Sequence, residues 1–170
     1  MIFVTVGTHE QQFNRLIEHI DNLVGKGAIT EEVIMQIGYS TFEPKYCKFS
    51  KLMPHQEMIN NVHDARIVIT HGGPASFIMP LQFGKIPVVV PRRKKFNEHV
   101  NDHQLEFSKA VAERQKNIIV VEDIDSLEKI VLDYEKLCAD LSDGIISYNA
   151  TFNEKFKAIV NELIEEKGQR

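Results

Sequence analysis

Apolar positions along the chain recur in two alternating rhythms: short β-branched runs, and longer stretches at helical spacing. Ile2-Phe3-Val4-Thr5-Val6 is a continuous apolar run that ends in Gly7-Thr8-His9, and Phe13, Leu16, Ile17, Ile20, Leu23 and Val24 then follow at the period of a helix. Gly25-Lys26-Gly27 stops that helix, and Val33 to Ile37 forms a second strand before Gly38. Between Tyr39 and Lys51 the pattern is irregular, with a short strand expected near Tyr46 to Phe49 and a brief helix from Pro54 to Val62. Ile67, Val68 and Ile69 begin a strand that runs into Thr70-His71-Gly72-Gly73-Pro74, with a helix from Ala75 to about Phe83 and a strand from Pro87 to Val90 behind it.

Downstream of Pro91 lie Arg92 to Lys95 and then a polar run, Asn97 to Gln104, that is expected to open a helix with Val100, Leu105, Phe107 and Val111 as apolar positions. Ile118 to Val121 reads as a strand. Asp123 or Asp125 caps a helix carrying Leu127, Ile130, Val131, Tyr134, Leu137 and Leu141, and a last helix is expected over 149–168 with a stripe of Phe152, Phe156, Ile159, Val160 and Leu163. Alternating strands and helices imply an α/β fold, a Rossmann-like parallel sheet with helices on both faces. Ligands of such sheets bind beyond the carboxyl ends of the strands, where Gly7 and the Gly72-Gly73 pair fall.

The Gly72-Gly73-Pro74 junction removes Cβ atoms where the strand turns into a helix, and Ser76 adds a hydroxyl to the first helical turn. Such a helix start suits a phosphate, and the other reading is a tight strand-to-helix turn and nothing more. His71 is either a donor facing that ligand or a turn histidine bonded to local backbone. His9 holds the analogous place after the first strand, against the reading of a solvated loop residue. Glu10 is either a general base or a carboxylate favoured by a helix start. Arg92 to Lys95 holds a diphosphate, meets an anionic membrane surface, docks a partner, or is a solvated loop. Glu98, His99, Asp102 and His103 have the composition of a metal site, with His99 and His103 four apart, but no further ligand set accompanies them, and no metal is predicted.

The 170 residues suit one domain, 1–170, with a single sizeable core, and 43% hydrophobic content is that of an ordinary globular protein. A net charge of −4 argues against nucleic acid as a partner. Cys47 and Cys138 have neither metal nor redox spacing, which fits a reducing compartment, although a disulfide between them stays open. No basic, apolar leader precedes the first strand and no run approaches a membrane span, so a cytoplasmic location is expected, with any membrane contact peripheral or through a partner.

The segments HGGPASFIMPLQFGKIPVVVPR and NEHVNDHQ, with the opening VTVGTHEQQFNRL, resemble the family 28 glycosyltransferase C-terminal domain across almost the whole chain. Within that family the likeness is to small bacterial capsule and exopolysaccharide transferase subunits of the β-1,4-galactosyltransferase kind. They are similar in turn to the catalytic half of the two-part enzyme that adds the second N-acetylglucosamine to dolichol diphosphate. The resemblance implies the C-terminal, nucleotide-sugar-binding half of a GT-B enzyme. It would invert configuration while moving a sugar, galactose as a first expectation, from a UDP-sugar to a lipid-diphosphate-linked acceptor, beside a membrane-associated partner subunit. A non-catalytic donor-binding subunit, or a self-sufficient nucleotide-binding protein, is the alternative. The expected catalytic residues are His9 and His71. The expected donor contacts are Gly7, Thr8, Gly72, Gly73, Ser76 and Arg92, with Asn101, Asp102 and Gln104 toward the sugar. Where many relatives carry a ribose-binding Glu this chain has Met79, and Gln82 or a backbone group is expected to substitute. No cofactor is expected besides the UDP-sugar substrate.

Overall fold

The computed structural model describes residues 1–141, so the helix expected over 149–168 lies outside the described residues. Six parallel strands form one sheet in the order β3-β2-β1-β4-β5-β6. These are β1 (Ile2–Thr5), β2 (Val33–Gln36), β3 (Lys48–Ser50), β4 (Ile67–His71), β5 (Val88–Val90) and β6 (Ile119–Val120). The helices are α1 (Asn14–Gly25), α2 (His55–Asp64), α3 (Pro74–Gln82), α4 (His103–Gln115), α5 (Leu127–Leu132) and α6 (Tyr134–Leu141).

Period-two alternation assigns each strand residue to one of two apolar layers. Ile2, Val4, Ile67, Ile69, Val88 and Val90 pack with Leu16, Ile17 and Ile20 of α1 and with Leu127, Val131 and Tyr134 of α5 and α6. Phe3 and Val68 point the other way, against Val62 of α2 and Met79 of α3, while Val89 meets Phe77 of α3 and Val111 of α4. Burial on both faces explains why β1, β4 and β5 read as unbroken apolar runs. The chain leaves β1 toward β2 on one side and reaches β4 on the other, so the strand order reverses between β1 and β4 and opens a crevice at their carboxyl ends.

Three expectations change. The polar run does not open a helix at Asn97: a short 3-10 turn covers Lys94–Phe96, Asn97 is left-handed at φ 56, and α4 begins only at His103. Tertiary contacts take the polar side chains that a helix would have carried outward. Glu98 is drawn fully into the interior by Arg15, and the Asp102 carboxylate accepts from the Lys94 amide at 3.0 Å and from Arg93 at 3.1 Å. Val100, expected on the apolar stripe, is 67% exposed. The helix expected through Leu141 divides at Asp133 into α5 and α6, and Asp123 caps the preceding 3-10 turn at Ile124–Ser126 by accepting from the Asp125 amide. Cys47 and Cys138 are both free thiols.

Candidate functional site

A cleft of about 480 Å³ opens at the carboxyl ends of β1 and β4. One side is apolar, formed by Leu52, Met53, Met58, Val62 and Met79; the other carries Thr8, His9, His71 and Ser76. A second cleft of similar volume lies across the Gly72-Gly73 turn, lined by His99, His103, Gln104, Glu106 and Phe107 with Gly72, Gly73 and Pro74. The start of α3 forms the wall between them.

His71, the last residue of β4, sits at the centre of this arrangement. A Cβ on Gly7 would meet its ring at 2.5 Å, and a Cβ on Gly73 would meet it at 2.5 Å as well. Both glycines are therefore needed to seat the imidazole, and Gly7 also adopts φ 73, which side chains disfavour. His71 is 9% exposed, and burial, reinforced by the Arg92 cation, pushes its pKa down to about 4. The Thr5 backbone opposes that shift, although Nδ1 makes no hydrogen bond of ordinary geometry. Nε2 lies 3.4 Å from the Ser76 hydroxyl.

Helix α3 starts at Pro74 with no side chain capping it. The Ser76 amide is turned back onto the Gly73 carbonyl at 3.0 Å, whereas the Gly73 and Ala75 amides have no protein acceptor among the described residues. Those two donors and the helix dipole give the turn its affinity for negative charge.

His9 is half-buried on the loop after β1 and its ring centroid is 5.2 Å from that of His99. Burial lowers its pKa, helped by Arg92 and His99. The Gln11 amide donates to His9 Nδ1 at 3.2 Å, so in the neutral ring the proton resides on Nε2. His9 thus offers the cleft an N–H and no free lone pair.

Arg92, the first residue of the basic group, is completely buried. Its guanidinium donates to the carbonyls of Val6, Gln11, Gln12 and Glu98, and its own pKa falls to about 10, chiefly through burial. It staples the His9 loop to the end of β5. Gln104 acts as a second staple, because its Oε1 accepts from the amides of Gly72 and Arg92, each at 3.1 Å. A Cβ on Gly72 would meet the Gln104 side chain at 2.9 Å, so that glycine serves the close approach of α4.

Residues 1–161 match the glycosyltransferase family 28 C-terminal domain. The chain belongs to this family. No curated protein matches the chain. Among solved structures it is similar to the glycotransferase of kitacinnamycin, with 15% identity, a TM-score of 0.55 and 85% of this chain covered. It is also similar to the glycosyltransferase SnogD from Streptomyces nogalater, with 12% identity, a TM-score of 0.48 and the same coverage of this chain. The chain spans 37% of the length of the first and 38% of the second. The domain is thus a Rossmann-like sheet equivalent to the C-terminal half of a GT-B glycosyltransferase.

Within this family 28 domain, Gly7, Thr8, His9, His71, Ser76 and Met79 line the first cleft, and Gly72, Gly73 and Gln104 the second. Asn101 lies behind the second cleft, its Oδ1 3.0 Å from His99 Nδ1 and accepting from the His103 amide. Asp102 is engaged with Arg93 and Lys94, and the Lys94 amide, then Arg93, holds its carboxyl below the usual range. Gln82 is exposed at the far end of α3 and lines neither cleft. Arg92 touches backbone where a ligand contact was expected.

Further residues that shape the site were not foreseen. Gln36 accepts from Thr5 and the Gly7 amide and donates to the Gly7 and Lys51 carbonyls, which fixes the turn after β1. A lone amide inside the apolar run VIMQI was its signal. The Arg15–Glu98 ion pair, bidentate at 2.8 and 2.9 Å, holds the segment bearing His99, and a separation of 83 positions hides it from any local pattern. Leu52 and Met53 became visible only when the loop after β3 folded over the cleft. Among the described residues there is no group of three or more metal-ligating side chains.

Proposed function

We propose that this domain binds the UDP moiety of a nucleotide sugar and transfers its sugar to a lipid-diphosphate-linked acceptor in capsule or exopolysaccharide synthesis, acting with a membrane-associated partner subunit. The observation that carries this reading is the enclosed, neutral His71 between Gly7 and Gly73, beside Ser76 and the uncapped start of α3. A diphosphate there meets the Gly73 and Ala75 amides, the imidazole and the nearby Arg92 charge. Uracil and ribose rest on the apolar side, with Met79 beneath the ribose, and the hexose reaches toward Asn101, Asp102 and Gln104. Galactose is the first candidate for that hexose.

In the proposed step the acceptor hydroxyl oxygen bonds to the anomeric carbon and the bond from that carbon to the diphosphate oxygen breaks with its electron pair. Configuration inverts and UDP departs. His71 and the His9 N–H stabilise charge on the leaving diphosphate, so that no metal is required of the site. The hydroxyl proton goes to a base. Since His9 Nδ1 is occupied by the Gln11 amide and His71 is enclosed, we assign the base to the partner. The domain works at the cytoplasmic face of the membrane. Among the described residues no helix is long and apolar enough to cross a membrane.

The same lack of a free lone pair favours a second reading, a donor-binding subunit whose partner carries the whole activity. The chain should be combined with its membrane partner, labelled UDP-sugars and lipid-linked acceptor. Transfer that requires both chains and falls at least 100-fold in His71→Ala is expected. Transfer surviving both His71→Ala and Asp102→Ala would count against the first reading.

A further inference from the structure

The segment between β5 and α4 forms a charged and apolar tip beside the two clefts. Its two acids are both taken up by arginines: Glu98 pairs with Arg15 and Asp102 with Arg93. Lys94 and Lys95 are exposed and form no ion pair among the described residues. Neither lines either cleft, so a donor bound there leaves both charges free. Phe96 is 42% exposed between Arg15 and Lys95, whose cationic groups lie 4.8 and 4.7 Å from its ring centroid, and Val100 is 67% exposed.

The tip is also held in shape. Asn97 closes the 3-10 turn in a left-handed conformation, the Lys94 amide donates to Asp102, and Gln12 donates to the Phe96 carbonyl at 3.2 Å. A preformed turn presents its side chains without the ordering cost that a mobile loop would pay. In a chain of net charge −4, most of the surface is repelled by an anionic bilayer. Two lysines without ion pairs next to an exposed aromatic ring have the complementary character, with ammonium groups for headgroup phosphates and a ring for the interfacial layer.

We propose that Lys94, Lys95, Phe96 and Val100 form a docking surface for anionic lipid headgroups, through which this chain touches the membrane directly. One such contact is weak, and stable attachment takes a second signal, which the partner subunit supplies. The tip would then orient the strand ends, and the clefts beyond them, toward the bilayer.

The test is flotation of the full 170-residue chain with vesicles of neutral phosphatidylcholine and with vesicles containing 30% phosphatidylglycerol. Partitioning onto anionic vesicles should exceed that onto neutral ones by about 25-fold at low salt, at roughly fivefold per lysine, and should collapse in 0.5 M NaCl. Lys94→Gln/Lys95→Gln should remove that advantage, and Phe96→Ser should weaken binding roughly fivefold further. UDP affinity should remain at the wild-type value in both variants, which shows that they are folded. Equal partitioning onto both vesicle types, no partitioning at all, or an unchanged lysine double variant would overturn the proposal. So would loss of binding to the isolated partner without loss of vesicle binding, which would make the tip a protein-docking surface. The assay contains no sugar donor, so its failure leaves the transferase reading standing, and failed transfer leaves the lipid surface standing.

Discussion

His71 illustrates how one residue ties stability to pH. Its folded pKa, about 4, lies below the unfolded 6.5, so between these values the unfolded chain binds the additional proton. Its contribution to stability is therefore complete above pH 6.5 and is lost as pH falls toward 4. Between pH 7 and pH 5 the wild type should lose about 2 kcal/mol more than His71→Gln in urea unfolding. A diphosphate beside the ring reverses the bias by favouring the charged imidazole, so UDP should bind more tightly as pH falls toward 4, and less steeply in the variant. Gly73→Ala tests the seat of that ring, since the new Cβ displaces the imidazole and should weaken UDP binding at least tenfold. Gln82→Ala, at the exposed end of α3, should leave the affinity unchanged in the same titration.

At the scale of elements, the site depends on two staples that join distant strand ends. Gln104 Oε1 holds the amides that leave β4 and β5, and Gln104→Ala should cost about 1–3 kcal/mol in thermal or urea unfolding by leaving both donors without an acceptor. Gln104→Glu keeps the acceptor and should recover most of that loss. The Arg15–Glu98 pair does the same for the segment ahead of α4. Because Glu98 is fully buried, removing one partner leaves an uncompensated charge, and Glu98→Ala should cost about 3 kcal/mol. Hydrogen exchange should then quicken in amides 93–102 before it does in β1 or β4. The helix-opening expectation failed on this segment because a polar run at helical spacing cannot reveal that Arg15, far upstream, will bury one of its members.

For the whole molecule, a donor site complete within one chain should bind UDP without a partner, even where transfer requires two chains. Saturating UDP at 100 times its Kd should raise unfolding stability by about 2.7 kcal/mol, seen as a higher melting temperature of the isolated chain. An unaltered melting temperature at millimolar UDP would place the nucleotide site elsewhere.

The sequence by itself determined the alternating strands and helices, the parallel sheet and the family. These rest on local periodicity, on glycine at the strand ends, and on the HGGPASF and NDHQ segments, each readable from a short stretch of chain. It also placed His9 and His71 at carboxyl strand ends, which share one edge in a parallel sheet, whereas the pairing of β1 with β4 that makes them neighbours belongs to the fold. Only tertiary structure decided what each polar residue does there. Arg92, read as a ligand contact, holds loops by meeting carbonyls tens of residues away, and Gln104, which lines the second cleft, also holds the amides of Gly72 and Arg92. Gly7 and Gly73 read as phosphate glycines and also make room for an imidazole, because a side chain's enclosure depends on which backbone folds over it. Periodicity assigns faces; the partners of a buried polar atom are set by long-range packing, and at this site those partners separate the residues that touch ligand from the residues that position them.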